Sequence, residues 1–574
     1  MNLSKLSINI QYLIVFLLGV LIFVLYGSNV KNIYTVWQIG DEAGYLMNAA
    51  FFSGHDWSGI YEVIPYYGYG YSLLLIPFFL LFGSGIEIIK GAIFVNILCI
   101  VITYFIQIVV MKIITKDNRL SILAFISFVI CFYPYLVGET YQVIAEALLV
   151  LLFWISILLL SIAVRKQSTY FYILYGLCIA YMFFVHARTI LVVIAAFITV
   201  LFCMICKHVK VKHMISFVCA FVVFFIIGYF IKKYIIQSIY TGITVDGELK
   251  DRNIITIGYI FDRLKWLFNL KNIKLYVYSF FAKVFYLLVS TATMIIIGLI
   301  SIVKKFKKIS KLNSEQTAFT IFIFLSFILM FFACCINGTG SSENFAYSFY
   351  ARYFEYTISP IVFIGVYTCL YYRLRMKDIF FTILVCLISG IMTSNIITNL
   401  DSNEIHVDVY RIAGFSYGIK KNDNFESLIF YLVILIIFVF VLIFIFNYIL
   451  KIRTVILLFI LIYFFNSNLV CIDTINTINQ NSILDLQIAE YINNRENNDL
   501  VYFIDDEYRY YGFYSRMQVL MPKIQMKIIQ VDQFDQINSD SFIITYKATP
   551  SDTILGEIEN PLIAGSIFNL YKKQ

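Results

Sequence analysis

Charged residues are scarce in this sequence. Asp, Glu, Lys and Arg make up only 14% of its 574 residues, whereas 61% are hydrophobic and 18% are aromatic. Soluble domains carry about 25% charged residues, so the composition excludes a water-soluble globular protein and indicates a chain that crosses a membrane many times. The net charge of +8 does not indicate nucleic-acid binding, because the Lys and Arg residues stand in short clusters between apolar runs.

Several common functional motifs are also absent. The eleven cysteines nearly all lie within apolar runs, the CxxC pair Cys203 and Cys206 included, as small buried hydrophobic residues do, and they are not predicted to form a metal site. The sequence contains no internal repeat, no low-complexity linker and no glycine-rich loop that would cradle a phosphate. No small-residue cleavage site follows the apolar run at residues 12–26, so this run is predicted to be a retained first span.

Long apolar runs dominate instead. A membrane-spanning helix needs about 20 residues, because a rise of about 1.5 Å per residue must cover about 30 Å of hydrocarbon. The apolar run at residues 69–82 is too short to cross comfortably and is predicted to lie in the interface or to re-enter. The sequence predicts thirteen spans, near residues 10–30, 88–111, 120–137, 146–164, 170–187, 189–206, 214–231, 276–303, 317–336, 354–372, 379–398, 428–450 and 454–470.

The basic residues predict the orientation of these spans. With thirteen spans, every short basic loop falls on the same side, which the positive-inside rule assigns to the cytoplasm. The N-terminus is then cytoplasmic, the C-terminus is extracytoplasmic, and residues 31–87 form the first outer loop. The basic loops that decide the orientation lie at residues 165–166, 207–212, 304–311, 373–377 and 451–453.

The C-terminal part of the chain differs from the rest. Residues 471–574 are more polar, and they combine an amphipathic stretch at 483–492 with four strand-like runs, VYFID, KIIQV, FIITY and IFNLY. This alternation predicts a small α/β domain on the outer face. The predicted fold is therefore a polytopic α-helical membrane domain over residues 1–470, followed by an extracytoplasmic α/β domain over residues 471–574.

Four acidic residues stand where predicted outer loops meet spans. Asp41 and Glu42 follow the first span and precede apolar residues with helical spacing, which predicts an interfacial helix close to the lipid headgroups. Glu139 and Glu146 are seven residues apart and would share a face on a continuous helix. A carboxylate at the edge of the hydrocarbon needs a partner or a function. The other interpretation is that these acids are solvated helix ends.

Basic and aromatic residues occupy similar positions. His186 and Arg188 lie between two apolar runs with almost no loop, and Arg352 and Tyr353 enter a later span from an outer loop. Arginine can bind a phosphate through two parallel hydrogen bonds, whereas snorkelling of the side chain toward the headgroups is the competing interpretation. Tyr67 belongs to an aromatic run that is typical of the interfacial belt and could also stack on a sugar ring.

Taken in order, these segments resemble the GT-C superfamily of membrane glycosyltransferases, and within it the branch of the protein mannosyltransferases and the bacterial lipid A aminoarabinose transferase. An acidic motif in the first outer loop (GDEAGYLMNAA) precedes an aromatic, proline-containing element (PYYGYGYSLLLIPFFLLFG). A second acidic motif opens a later span (GETYQVIAEALLVLLFW), and a basic motif (FFVHARTIL) and an Arg-Tyr motif (ARYFEYTISP) follow. Glu146 stands where relatives often have Asp, and His-Ala-Arg replaces a more usual Lys-Gly.

The resemblance implies an enzyme that moves a sugar from a polyprenyl-phosphate carrier to a glycan, lipid or protein acceptor at the outer face of the membrane, to modify the cell envelope. It implies Asp41 as the catalytic base and Glu42 as a supporting acid. Glu146, the third predicted catalytic residue, would orient the sugar or acceptor, or help to hold a divalent cation, which some relatives use and others do not.

The resemblance also implies donor-binding residues and a single, inverting displacement. Arginines would neutralise the charge of the departing lipid phosphate. The predicted binding residues are His186, Arg188, Arg352, Tyr353, Tyr67 and Glu139. Three alternatives stay open: a transporter or flippase for lipid-linked glycans, a polysaccharide ligase or polymerase, and a scaffold for the C-terminal domain. Charges at helix ends and the lack of paired halves favour the enzyme over the transporter.

Overall fold

The computed structural model is a bundle of helices around one apolar core, with a small sheet near the C-terminus. The described residues are 7–36, 39–61, 66–239, 244–245, 248–249, 265, 268–337, 349–372, 374–397, 414, 425–446, 454–494, 500–504, 511–538, 541–546, 561–564 and 568–573. The predicted outer loops 232–275, 337–353 and 399–427 therefore lie largely outside the described residues.

Helices follow one another closely along the chain, separated by short turns. Those of the N-terminal half are α1 (Ile8–Gly27), α2 (Ile39–Phe52), α3 (Ser58–Tyr61), α4 (Tyr69–Leu81), α5 (Gly85–Thr115), α6 (Leu120–Cys131), α7 (Pro134–Thr140), α8 (Glu146–Lys166), α9 (Thr169–Val185), α10 (Ile190–Ile205) and α11 (Val211–Ile239). Those that follow are α12 (Leu270–Ser290), α13 (Met294–Phe306), α14 (Ser314–Asn337), α15 (Arg352–Glu355), α16 (Ser359–Tyr371), α17 (Met376–Ile397), α18 (Phe425–Phe444), α19 (Thr454–Asn481), α20 (Ile483–Asn493) and α21 (Tyr511–Leu520).

These helices confirm a polytopic membrane protein. Among the described residues, nine helices are long and apolar enough to cross a membrane, or ten if α6 and α7, which meet at a bend of 60°, form one broken span. Shorter apolar helices are α4, α9, α16 and the Ile429–Phe444 part of α18. The total of thirteen spans and the orientation of the termini stay predictions, and basic residues 373 and 451–453 lie outside the described ranges.

One predicted span is wrong as a single helix. The sequence predicts a continuous span at 276–303, but α12 ends at Ser290 and α13 begins at Met294. Ala292 and Thr293, between them, have positive φ angles of 48° and 67°, which interrupt a right-handed helix. The two helices then pack on different partners, α12 on α17 and α13 on α16. The apolar run has no glycine or proline at this break, so nothing in its pattern signals the turn.

The packing of α13 on α16 brings two backbones into direct contact. A Cβ atom on Gly298 would overlap the carbonyl oxygen of Ile361, and a Cβ atom on Gly365 would overlap that of Met294. Helices can approach this closely only where a side chain is missing. The contact fixes α16, which follows directly after α15 and its first residue, Arg352.

The C-terminal sheet confirms the α/β prediction. Its strands are β3 (Val501–Ile504), β4 (Met526–Ile529), β5 (Phe542–Tyr546), β6 (Ile563–Ala564) and β7 (Phe568–Lys572), in the order β4-β3-β5-β7-β6. The strand β3 pairs in parallel with β4 and β5, while β7 is antiparallel to both β5 and β6. Four of the five strands are the four runs predicted from alternation. Two short antiparallel strands, β1 (Thr244–Val245) and β2 (Glu248–Leu249), lie elsewhere in the chain.

This small domain is attached to the first outer loop. The Nε1 of buried Trp57 donates to the carbonyl oxygen of Pro522 at 2.9 Å, and α21 packs on α2. From the membrane side, α19 continues without interruption through residue 470 to Asn481. Its Asn479 side-chain oxygen accepts from the backbone N–H of Tyr34 at 2.6 Å and of Thr35 at 3.1 Å. The membrane helices, first loop and C-terminal sheet are thus held together by buried hydrogen bonds.

Candidate functional site

Residues from five separate helix ends meet at one place in the structure. Asp41 lies in the first turn of α2, Glu139 near the end of α7, and Glu146 is the first residue of α8. Arg188 lies in the 3₁₀ turn Ala187–Thr189 that precedes α10, and Arg352 begins α15. Acids in a first helical turn are favoured by the helix dipole, which accounts for the positions of Asp41 and Glu146. All five were predicted as site residues on one side of the membrane.

Arg352 is the centre of this cluster. Its Nε donates to Oε1 of Glu146 at 2.6 Å and lies 3.6 Å from Oε2 of Glu139, and its Nη1 lies 2.7 Å from Oδ2 of Asp41. The Arg352 side chain is only 3% exposed. Burying a guanidinium is costly unless carboxylates surround it, so these contacts explain how the sequence tolerates an arginine here.

Arg188 is only partly satisfied. Its Nη2 donates to the same Glu146 Oε1 at 2.7 Å, while its Nε and Nη1 are buried and make no hydrogen bond to the described residues. The rings of Tyr353 and Tyr356 lie 5.2 Å and 5.7 Å from its guanidinium carbon. Buried donors without partners are rare and costly. Arg188 therefore has donors available to bind an anion.

His186 supports the turn that carries Arg188. Its Nδ1 accepts a hydrogen bond from the Arg188 backbone N–H at 3.3 Å, capping the 3₁₀ turn. The ring is half-buried. This contact is with the backbone of Arg188, so the geometry gives His186 a positioning role next to the cluster.

Asp41 is the accessible carboxylate of the cluster. Its side chain is 29% exposed, whereas those of Glu139 and Glu146 are 4% and 0% exposed. The Tyr67 hydroxyl donates to Asp41 Oδ1. A Cβ atom on Gly44 would overlap the Tyr67 ring, so this glycine, one helical turn after Asp41, lets the ring pack against α2. Asp41 is thus held on both oxygens, by Tyr67 and Arg352, and still reaches solvent.

The described contact of Glu42 lies outside the cluster of Arg188 and Arg352. Successive residues of a helix point about 100° apart, and Glu42 is buried on another side of α2. Its Oε1 accepts the backbone N–H of Val143 at 2.7 Å. This contact fastens α2 to the turn between α7 and α8, which gives Glu42 a structural role in the described geometry.

Two further polar residues of the cluster were missed from the sequence. Glu355 is buried, and its Oε1 accepts from the hydroxyls of Tyr133 at 2.6 Å and Tyr286 at 3.0 Å. The Tyr350 hydroxyl accepts from Arg352 Nη1 at 3.2 Å, and burial raises the pKa of this phenol well above its usual range. The sequence carries one signal for Glu355. It lies one helical turn after Arg352 in the motif ARYFEYTISP, so the two residues share a face of the helix.

The carboxylates of the site do not form a metal site in this geometry. Within the described ranges, no group of three or more His, Cys, Asp or Glu side chains is arranged to hold a metal ion. Asp41, Glu139 and Glu146 instead surround the Arg352 guanidinium, which already supplies a positive charge to all three.

Comparison with known proteins identifies the fold. No protein-family model matches the sequence, and no curated protein matches it. Crystal structures of ArnT from Cupriavidus metallidurans do match the structure over 98% of both chains. The form bound to undecaprenyl phosphate gives a TM-score of 0.53 at 11% sequence identity, and the apo form gives 0.51 at 10%. The chain therefore shares the fold of ArnT, in agreement with the resemblance of its sequence motifs.

Proposed function

We propose that this protein transfers a sugar from a polyprenyl-phosphate carrier to an acceptor at the outer face of the membrane. The observation that carries the proposal is the pairing of an anion-binding group with an accessible carboxylate. Arg188 has two buried N–H donors without described partners, and Asp41 lies in the same cluster, linked through Arg352. The similarity to ArnT, which has been crystallised with undecaprenyl phosphate, supports a lipid phosphate as the anion.

In this proposal Arg188 binds the phosphate of the donor. Its Nε and Nη1 carry N–H donors without described partners, and charge-assisted hydrogen bonds from a guanidinium to phosphate oxygens are strong. Glu146 and the Tyr353 ring hold the guanidinium in place. As the sugar–phosphate bond breaks, negative charge grows on the phosphate, and a fixed cation that is already desolvated stabilises that charge without reorganisation.

Asp41 acts as the general base. It takes the proton of the acceptor hydroxyl while the acceptor oxygen forms a bond with the anomeric carbon of the sugar. The bond from that carbon to the phosphate oxygen breaks, and the polyprenyl phosphate leaves with the electron pair. One displacement inverts the anomeric centre. Arg352 and Tyr67 hold Asp41 in its orientation, and general-base catalysis of this kind contributes about 10²- to 10⁴-fold.

Glu139 and Glu146 are positioning residues in this scheme. Glu146 Oε1 accepts from both arginines, at 2.7 Å and 2.6 Å, so it fixes the distance between the phosphate-binding group and the group that holds the base. A role for a divalent cation stays a separate prediction, and no step of the proposed sugar transfer depends on it. It is tested by adding EDTA and then Mg²⁺ or Mn²⁺ in the transfer assay described below.

The alternatives differ in measurable ways. A polysaccharide ligase or polymerase would use the same donor chemistry with another acceptor, and analysis of the products separates them. A flippase would move the lipid-linked sugar without breaking its bond to phosphate. The cluster lies at helix ends, and its Asp41 carboxylate is accessible. Both features favour bond-breaking chemistry over passage through the bundle.

The proposal is tested in cells that lack the gene and are complemented with either the wild type or the Asp41→Asn variant. The measurement is mass spectrometry of polyprenyl-phosphate-linked sugars and of envelope glycans. Deletion and D41N should both accumulate a carrier-linked sugar and lose one sugar from an envelope polymer or lipid. If both pools are unchanged by deletion, the proposed reaction does not occur in that cell.

A further inference from the structure

A large cavity lies between α12, α13, α14 and α17. Its volume is about 960 Å³, in the range of cavities that hold drug-sized or lipid-sized ligands. Most of its lining is apolar, including Phe280, Leu287, Leu299, Phe331 and Val385. An apolar groove of this size between membrane helices can accept hydrocarbon.

One end of this groove is strongly basic. The described residues that line it include five cations and a single carboxylate, Asp378. The carboxylate accepts from the Lys304 Nζ at 2.6 Å, which leaves an excess of positive charge at this end. The cations are Lys304, Lys307, Lys308, Arg375 and Lys377.

The basic end adjoins a smaller and more polar cavity of about 430 Å³. The two cavities are neighbours, because they share lining residues. The shared residues are Ile300, Lys304, Lys308, Arg375 and Asp378. The smaller cavity adds hydrogen-bonding groups from Ser301, Gln316, Tyr367 and Thr368, and the cation of Lys305. The whole space is therefore amphiphilic, with an apolar groove attached to a basic, polar pocket.

The basic pocket lies at the far end of the helices that leave the candidate site. Helix α16 starts just after Arg352 and runs for 13 residues, about 20 Å at helical rise, to end shortly before Arg375. From Ile295 to Val303, α13 lines the apolar groove, a length of about 12 Å. This is close to one leaflet of hydrocarbon, about 15 Å. The length of the groove along α13 is thus suited to the acyl region of one leaflet.

We propose that this space binds an anionic glycerophospholipid, with an acyl chain in the apolar groove and its phosphate among Lys304, Lys308 and Arg375. Basic residues of a membrane protein often reach headgroups from the outer surface of a helix. Here, however, the cations line an indentation between helices that continues into an apolar groove. Free phosphate would leave that groove unfilled, whereas a phospholipid fills both parts. The site is separate from the one that binds the sugar donor.

The test is native mass spectrometry of the purified full-length protein, incubated with phosphatidylglycerol or phosphatidylcholine of identical acyl chains. We expect phosphatidylglycerol to be retained at least tenfold better. The triple variant K304Q/K308Q/R375Q should abolish this preference. The matched control, K207Q/K210Q/K212Q, removes the same number of charges from another basic connection and should retain it. Equal retention of both lipids by the wild type, or equal loss in both triple variants, would overturn the proposal.

A second variant keeps the charges and fills the groove. Leu299→Trp should lower retention of phosphatidylglycerol about tenfold, whereas Val222→Trp on the exposed face of α11 should leave it unchanged. Excess inorganic phosphate should not displace the lipid. Displacement by phosphate, full retention in L299W, or recovery of a polyprenyl phosphate as the lipid held in this groove would each contradict the assignment.

Discussion

Arg188 and Arg352 share one acceptor, the Oε1 atom of Glu146. The two donor nitrogens lie 2.7 Å and 2.6 Å from this oxygen, and the glutamate side chain is completely buried. Two guanidinium groups this close would repel each other without an anion between them. Glu146 therefore makes possible the pairing of a phosphate-binding arginine with the arginine that holds the base.

Replacing Glu146 with Gln should damage both folding and activity. The variant keeps the shape but leaves two buried cations with one carboxylate fewer, and breaking a buried ion pair costs about 3–5 kcal/mol. We expect a lower unfolding temperature and at least a 100-fold lower kcat/KM in the folded fraction. The control is Asp117→Asn, which removes a 2.7 Å ion pair with Arg119 elsewhere. Unchanged kcat/KM in E146Q would contradict the shared-acceptor account.

Replacing Arg188 with Gln should weaken binding of the lipid phosphate. Hydrogen bonds to charged groups contribute about 1.5–3 kcal/mol each, so we expect the Kd for undecaprenyl phosphate to rise about 10- to 100-fold. The Arg188→Lys variant should restore little of this affinity, because an ammonium group lacks the several donors that a guanidinium holds in one plane. Arg165→Gln, at an exposed arginine near the other end of α8, is the control. An R188Q affinity equal to that of R165Q would remove Arg188 from the phosphate site.

Replacing Glu42 with Gln separates its role from that of Asp41. Glu42 is buried and accepts from the Val143 backbone. Gln can still accept this N–H but without the charge, so the variant should lose about 1 kcal/mol of unfolding free energy. The folded fraction should keep a kcat within a few-fold of wild type. Thermal unfolding and activity per folded molecule are measured on the same sample. A kcat loss as large as that of D41N, at wild-type stability, would make Glu42 catalytic after all.

Replacing Gly298 with Ala should force α13 away from α16. The added methyl group would overlap the Ile361 carbonyl oxygen, and overpacking typically costs about 1–3 kcal/mol. We expect a lower unfolding temperature and, because α16 follows directly after α15 and Arg352, reduced activity. Gly27→Ala is the control, since a Cβ there would meet nothing within 4 Å. A variant as stable as G27A would show that the helices separate without cost.

The sequence alone predicts that the site residues lie on one side of the membrane. It does not predict which acid contacts which arginine. Asp41, Glu139, Glu146, Arg188 and Arg352 could be assigned to one side, because charge parity and span length set the side of each helix end. Which acid contacts which arginine depends on the lateral packing of helices far apart in sequence. Apolar periodicity carries no information about that packing when hydrophobic residues surround a helix on every side.

Three details of the structure could not be predicted from the sequence pattern, each for a specific reason. Asp41 and Glu42 are chemically similar neighbours, and only the rotation of α2 separates the accessible acid from the buried one. The break at Ala292–Thr293 has no glycine or proline to signal it. Glu355 was visible in its motif, yet its burial between two tyrosines depends on α6, α7 and α12. By contrast, the strands of the C-terminal sheet were predictable because alternation is local.

The central claim, sugar transfer with Asp41 as the base, is tested most directly with purified wild-type and D41N proteins in lipid nanodiscs. Both proteins are supplied with polyprenyl-phosphate-linked sugars extracted from a deletion strain and with an envelope acceptor fraction. The measurement is the release of free polyprenyl phosphate over time, with binding of undecaprenyl phosphate measured in parallel. We predict steady release by the wild type, and release reduced 10²- to 10⁴-fold by a D41N protein that is folded and still binds the lipid. Wild-type release rates in D41N would show that Asp41 is not the base, and absence of release by a wild type that binds the donor would contradict sugar transfer itself.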